Sequence, residues 1–365
     1  MQDSSPGQVI ANRYRLLELA GEGGMAEVWR AITLGAAGFV RPVAVKRILP
    51  HLEGDPSFIA MFVEEARVGA ELSHPNIVQI HDFGLDEHGG HYLVMEWVEG
   101  LDLGRYVRSF TESQMRTPWP YITAIGIEVL RALGAAHERL DLSGNPAPVF
   151  HRDVTPHNVL VGANGIVKLT DFGLARAMDR ARMTQPDVLK GKIAYLAPEL
   201  THGGPANERT DLFSVGVCLW EGLVGHKLFD GATDVEVFRR VRDAAIPPLA
   251  NYRSDIPPVM LAAVHKALAA KPEERYRSCR EMARALANIL RSVPEATDAH
   301  PLGRSVVAAR ERLGMPARVS YTDFAPARAG SGPKLNPDSV DDDPVFELDH
   351  PSTEATIPLL HHKKK

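Results

Sequence analysis

Two short polar clusters constrain this chain more than any other feature: His151-Arg152-Asp153-Val154-Thr155-Pro156-His157-Asn158 and, thirteen residues after Asn158, Asp171-Phe172-Gly173. Between them run two β-type segments, Val159–Val161 and Ile166–Thr170. A strand pair so placed brings both clusters onto neighbouring loops. Asp153 is then a candidate proton acceptor, and Asn158 and Asp171 are candidate ligands for Mg2+. Phosphoryl transfer has these needs, because it asks for little covalent chemistry and much positioning and charge neutralisation. The blander reading, a loop whose polar groups satisfy local backbone, does not explain both clusters in this order.

The run Gly21-Glu22-Gly23-Gly24-Met25-Ala26-Glu27-Val28 lies between two expected strands. Glycines at 21, 23 and 24 let the backbone approach phosphate oxygens and present N–H groups to them. By itself such a run more often means a hairpin turn. Lys46 sits on the apolar strand Val43-Ala44-Val45-Lys46. A lone lysine is usually a solvated cation, but Glu65 on the following segment is a plausible partner. That segment, Phe58–Leu72, carries Phe58, Met61, Phe62, Ala66, Gly69 and Leu72 at helical spacing, and Pro75 stops it. Glu64 competes for the partner role, but it falls off the apolar face.

Taken in order, these motifs resemble the bacterial branch of the eukaryotic-like (Hanks-type) Ser/Thr protein kinases, over roughly Arg13 to Val293. The resemblance implies an α+β, two-lobe protein kinase-like fold with a small β-rich N-lobe (13–98), a larger helical C-lobe (99–293) and a hinge near Glu96–Gly100. It implies ATP and Mg2+ as cofactors. Lys46, paired with Glu65, would align the α- and β-phosphates, Asp153 would take the substrate hydroxyl's proton, and Asn158 and Asp171 would hold the metal. Val28, Ala44 and Leu160 would wall the adenine, with Met95 as gatekeeper. Backbone groups of Glu96 and Val98 would meet the base edge, and Asp102 would reach the ribose. Glu199 would pair with Arg275, and Asp211 would accept hydrogen bonds from the backbone of the catalytic loop.

The pattern also departs from the family. Ala26 replaces the third glycine of the loop. Thr155 stands where most Ser/Thr kinases carry a lysine, and Lys192 stands where they carry a threonine. The expectation is a reciprocal exchange, with the Lys192 ammonium supplying charge near the γ-phosphate and Thr155 the hydroxyl contact. The blander reading is a solvent-facing Lys192 and a weakened site at Thr155. Arg152 beside Asp153 implies a phosphate pocket for the activation segment, and Thr184 is the candidate phosphosite.

The formal net charge of −5 gives no support for a nucleic-acid surface. Cys218 and Cys279 form neither a disulfide framework nor a zinc spacing, which favours a cytoplasmic location. The extension 1–12 has no signal-peptide pattern, and no apolar run reaches the ~18–20 residues of a membrane span. From 294 to 365 there are nine prolines and little periodicity, apart from a short helix candidate at Arg304–Leu313. Leu335 to His362 holds seven acids and no Lys or Arg. This region reads as a Pro-rich, acidic, largely disordered tail: a solubilising linker, a carrier of phosphosites such as Thr353 and Thr356, or a segment for partner binding.

The reading that follows is a Ser/Thr protein kinase that phosphorylates protein substrates from Mg-ATP and autophosphorylates. Pro156 after Thr155 favours Ser/Thr over Tyr. The alternatives are a nucleotide-binding pseudokinase scaffold and an adaptor acting through its tail.

Overall fold

The computed structural model describes residues 4–172, 192–294 and 297–316. Thr184, Thr353, Thr356 and the acidic stretch from Leu335 to His362 lie outside the described residues. Among the described residues, the N-terminal lobe is an antiparallel sheet ordered β1-β2-β3-β4-β6-β5. Its strands are β1 (Val9–Ile10), β2 (Tyr14–Glu22), β3 (Ala26–Leu34), β4 (Val40–Ile48), β5 (Ile80–Leu85) and β6 (His91–Glu96). The two-residue alternation of β4 decides what each face does. Val43 and Val45 pack with Ile10, Leu16 and Trp29 on one side. Ala44 joins Val78 and Met95 on the other, and Lys46 follows it on that face.

Helix α1 (Pro56–Ala70) starts where Asp55 accepts the Ser57 N–H at 2.8 Å and Pro56 fills the first turn. Its buried stripe of Phe58, Met61, Phe62, Glu65 and Ala66 follows helical periodicity. Glu65 therefore lies within the apolar stripe, whereas Glu64 pairs with Arg67 at the surface.

The C-terminal lobe opens with β7 (Gly100–Asp102) and α2 (Leu103–Thr111), then α3 (Trp119–His137), β8 (Val159–Gly162) and β9 (Val167–Leu169). It continues through α4 (Pro198–Thr201), α5 (Glu208–Val224), α6 (Asp234–Arg242), α7 (Pro258–Ala267), α8 (Cys279–Leu290) and α9 (Ala299–Arg312). Its core buries Tyr106, Phe213 and Trp220 completely. A capping box between Asn207 and Thr210 starts α5, and Gly225 at φ 92° ends it. His137, at the end of α3, clamps three helices: Nε2 lies 2.7 Å from Asp211 on α5, and Nδ1 is 3.6 Å from both Cys279 on α8 and Glu208.

Two boundaries differ from the sequence reading. The sheet begins inside the expected extension 1–12, because Val9 and Ile10 pair with Arg15 and Tyr14. At the other end, the helix expected at Arg304–Leu313 runs from Ala299 to Arg312 and buries Leu302, Val306 and Ala309 against the C-lobe. Beyond Val293, residues 299–316 thus include packed chain, held as far as Pro316 by Arg310. Pro301 and Gly303 interrupt the apolar pattern there and conceal the first turn of the helix in the sequence.

Candidate active site

The β8–β9 hairpin pairs Val159 with Leu169 and Val161 with Val167, so the loops at its two ends face each other. Thr170 N–H donates to Asn158 O at 3.0 Å and closes the gap between them. Asp211, fully buried, accepts the His151 N–H at 2.8 Å and the Arg152 N–H at 2.7 Å. Those bonds hold Arg152 at φ 63°, a conformation costly for a non-glycine residue. His151 also bonds Thr170 O at 2.9 Å, and its ring packs on Phe172 at 4.6 Å.

Within this frame Asp153 is held twice. Lys192 Nζ donates to its Oδ2 at 2.6 Å, and Asn158 Nδ2 donates to its backbone O at 2.8 Å and more weakly to Oδ2 at 3.3 Å. Among the described residues Asp153 Oδ1 accepts no hydrogen bond. Thr155 is buried, and its hydroxyl makes no hydrogen bond among the described residues.

Lys46 crosses the cleft from β4. Its Nζ lies 2.6 Å from Glu65 Oε1 and 2.9 Å from Asp171 Oδ1, and the side chain is 5% exposed. Burial works against the ammonium, but Asp171 and Glu65 outweigh it and hold Lys46 above its usual range. Burial also opposes the Asp171 carboxylate, yet Lys46 brings it down to about 2. Burial pushes Glu65 up to about 8 despite Lys46, and its Oε2 is buried without a hydrogen-bond partner among the described residues. Lys46 thus holds the Asp171 carboxylate ionised while burial works against that of Glu65. These groups suit a divalent cation. Asp171 offers an ionised hard oxygen, and Asn158, with its amide nitrogen engaged by Asp153, offers Oδ1.

The expected adenine walls form one cluster. Ala44, Val78 and Met95 are buried, and Val28, Trp97, Val98 and Leu160 pack against them. Val78 and Trp97 were missing from the sequence reading, although Trp97 sits between two expected hinge positions. Glu96 N–H is used by Gln79 O at 2.8 Å, and the Glu96 carboxylate pairs with Lys168 at 2.7 Å. Asp102 accepts the Arg105 N–H at 2.9 Å as the cap of α2 and lies 3.5 Å from His157, so any ribose contact shares that carboxylate. In the glycine hairpin Gly23 N–H donates to Ala26 O at 2.8 Å. A Cβ at Gly21 or Gly24 would meet no described atom within 4 Å, which leaves the loop surface open to a phosphate chain.

Beyond these loops Arg275 forms a two-pronged pair with Glu199, both distances 2.8 Å. Tyr195 is held by Glu221 at 2.8 Å.

Residues 14–286 match the family described as protein kinase domain. Tyrosine-protein kinase MasK of Myxococcus xanthus is 39% identical over 290 residues, covering 80% of this chain and 45% of the relative. Probable serine/threonine-protein kinase PknB of Lactococcus lactis is 36% identical, covering 76% and 42%. Serine/threonine-protein kinase PknA of Mycobacterium tuberculosis is 35% identical over 322 residues, covering 86% and 70%. This chain thus spans less than half the length of two of these relatives. The crystal structure of the Mycobacterium tuberculosis PknI kinase domain is similar with a TM-score of 0.58 and 27% identity, over 79% of this chain and 99% of that one.

Proposed function

The chain belongs to the protein kinase family, in its bacterial Hanks-type serine/threonine group, and from that membership we propose that it transfers the γ-phosphoryl group of Mg-ATP to serine and threonine hydroxyls of proteins, itself included. The observation that carries the reading is the Lys46–Glu65–Asp171 cluster across the cleft, beside the Asp153–Asn158 loop. ATP and a divalent cation follow from the family; magnesium is the proposed ion. A cation held by Asn158 and Asp171 would neutralise phosphate charge as the Pγ–O bond to ADP breaks.

The protein's own residues have distinct tasks. Glu65 orients Lys46, which draws the α- and β-phosphates into line. The substrate oxygen attacks the γ-phosphorus, and its proton passes to Asp153 Oδ1. Lys192, bound to Asp153 Oδ2, brings a positive charge to the face where the transferring phosphoryl sits. Thr155 is the weaker half of the proposed exchange, since its hydroxyl has no hydrogen bond to Lys192 or Asp153 among the described residues. Phosphorylation of Thr184, read by Arg152, is the proposed activating event. A cytoplasmic setting agrees with two free buried cysteines and with the absence, among the described residues, of a helix long and apolar enough to cross a membrane. The acidic tail, Leu335 to His362, is proposed to bind a partner.

Nothing in the site favours the scaffold alternative. Tyrosine as acceptor is the second reading, because the relative at 39% identity is named a tyrosine-protein kinase. Matched peptides differing only in a Ser, Thr or Tyr acceptor separate the two. Label on Ser and Thr is expected, and label confined to Tyr overturns the assignment.

A further inference from the structure

Helix α9 lies beyond residue 286, where the family match ends. Its attachment is specific. Arg310, 3% exposed, donates through Nη1 to the carbonyl of Gly100 at 3.0 Å and pairs with Glu99 Oε1 at 2.8 Å, while its Nε holds Pro316 O at 3.0 Å. Glu99 and Gly100 directly follow Val98 of the adenine cluster. The other carboxylate oxygen of Glu99 accepts the Trp97 indole N–H at 2.9 Å and lies 3.8 Å from the guanidinium of Arg30. Arg30 comes from β3 in the small lobe, opposite Ala44 on β4. One carboxylate is therefore shared by the small lobe, the hinge and the terminal helix. The helix can come this close because of two glycines: a Cβ at Gly303 would meet Ala163 O at 2.6 Å, and one at Gly165 would meet Ala299 O at 1.7 Å.

We propose that Arg310 is a positioning residue of the nucleotide site: α9 is a strap that fixes the hinge through the Arg310–Glu99–Gly100 contacts and thereby sets nucleotide affinity. This rests on the reading of the Val28–Leu160 cluster as the nucleotide pocket and is independent of whether phosphoryl transfer occurs. A buried, charge-assisted contact resists rearrangement more than an exposed one, so the hinge backbone is held in one arrangement only while Arg310 is in place. By reciprocity, a nucleotide that prefers the strapped hinge stabilises α9 by the same factor.

A second contact on the same helix supplies the control. Arg312 donates to Ser109 O at 3.2 Å and Ser109 Oγ at 3.1 Å and stacks on Phe110, tying α9 to α2 without touching the hinge. The experiment measures ATP dissociation constants in Mg2+ by calorimetry on the full chain, for the wild type, Arg310→Met, Arg310→Lys and Arg312→Gln, each with its thermal midpoint. Arg310→Met is expected to weaken ATP binding about tenfold. Arg310→Lys is expected to recover part of that loss, and Arg312→Gln to lower the midpoint with affinity unchanged. Equal affinity losses at 310 and 312, or an unchanged affinity in Arg310→Met, overturn the proposal. If Arg310→Met fails to fold, Glu99→Gln carries the same test, with weaker ATP binding expected and unchanged binding contradictory. Loss of transfer with ATP binding intact would count against the kinase reading and leave this one standing.

Discussion

Replacing Lys192 by alanine probes the least conventional part of the site. Its Nζ stands 2.6 Å from Asp153 Oδ2, where Coulomb's law with an effective dielectric of about 20 gives an attraction of about 6 kcal/mol. The Lys192 side chain is 35% exposed, so hydration offsets much of that. What matters for turnover is the charge offered to the transferring phosphoryl. A single preorganised donor at a developing negative charge is worth about 2.7–4 kcal/mol, or about 10²–10³ in kcat, and the exposure puts Lys192 near the lower end. Lys192→Ala should therefore lower kcat about 10²-fold, while KM for ATP stays within about threefold, because the loss falls on the transition state. The assay is steady-state phosphate transfer to a fixed peptide, with Thr155→Lys and the double variant Thr155→Lys/Lys192→Thr alongside. If the two positions exchange roles, the double variant recovers at least about fivefold beyond the sum of the single effects. Additive losses, or a Lys192→Ala enzyme with normal kcat, refute the exchange.

Two other perturbations test the frame around the site. Arg275 is fully buried at its side chain and grips Glu199 with both prongs, so Arg275→Ala should cost about 3–5 kcal/mol in urea unfolding; a loss below about 1 kcal/mol would mean that the pair behaves like a surface bridge. His137 has a definite pH signature. Burial opposes its charged form, but the hydrogen bonds to Asp211, Cys279 and Glu208 win and push it up to about 12. Its unfolded value is about 6.5, so its contribution is complete below about pH 6.5 and declines as pH rises towards about 12. Between about pH 6.5 and about pH 9 the wild type should lose more stability than His137→Gln; parallel slopes would remove His137 from the clamp.

What the sequence disclosed was local chemistry and period. Lys46 was readable because it ends the apolar run Val43-Ala44-Val45 after the glycine-rich turn and has a partner in Glu65. Glu65 was separable from Glu64 because only Glu65 keeps helical step with Phe58, Met61 and Phe62. The hairpin between Asn158 and Asp171 was readable from two β-type runs. Contacts joining remote parts of the chain were not. Arg310 and Gly100 are 210 residues apart, and nothing near either announces the other. Val9–Ile10 is too short to carry a period. Trp97 and Val78 join the cluster of Ala44 and Met95 through the course of the backbone, which residue type alone does not reveal.

The most direct test is labelled phosphate transfer from Mg-ATP by the purified full chain, with Asp153→Asn as control and mapping of the labelled residues. Label on Thr184 and other Ser or Thr residues, lost in the control, is the expected result. Transfer undiminished in Asp153→Asn, or none from a wild-type protein that binds ATP, would contradict the role given to this site.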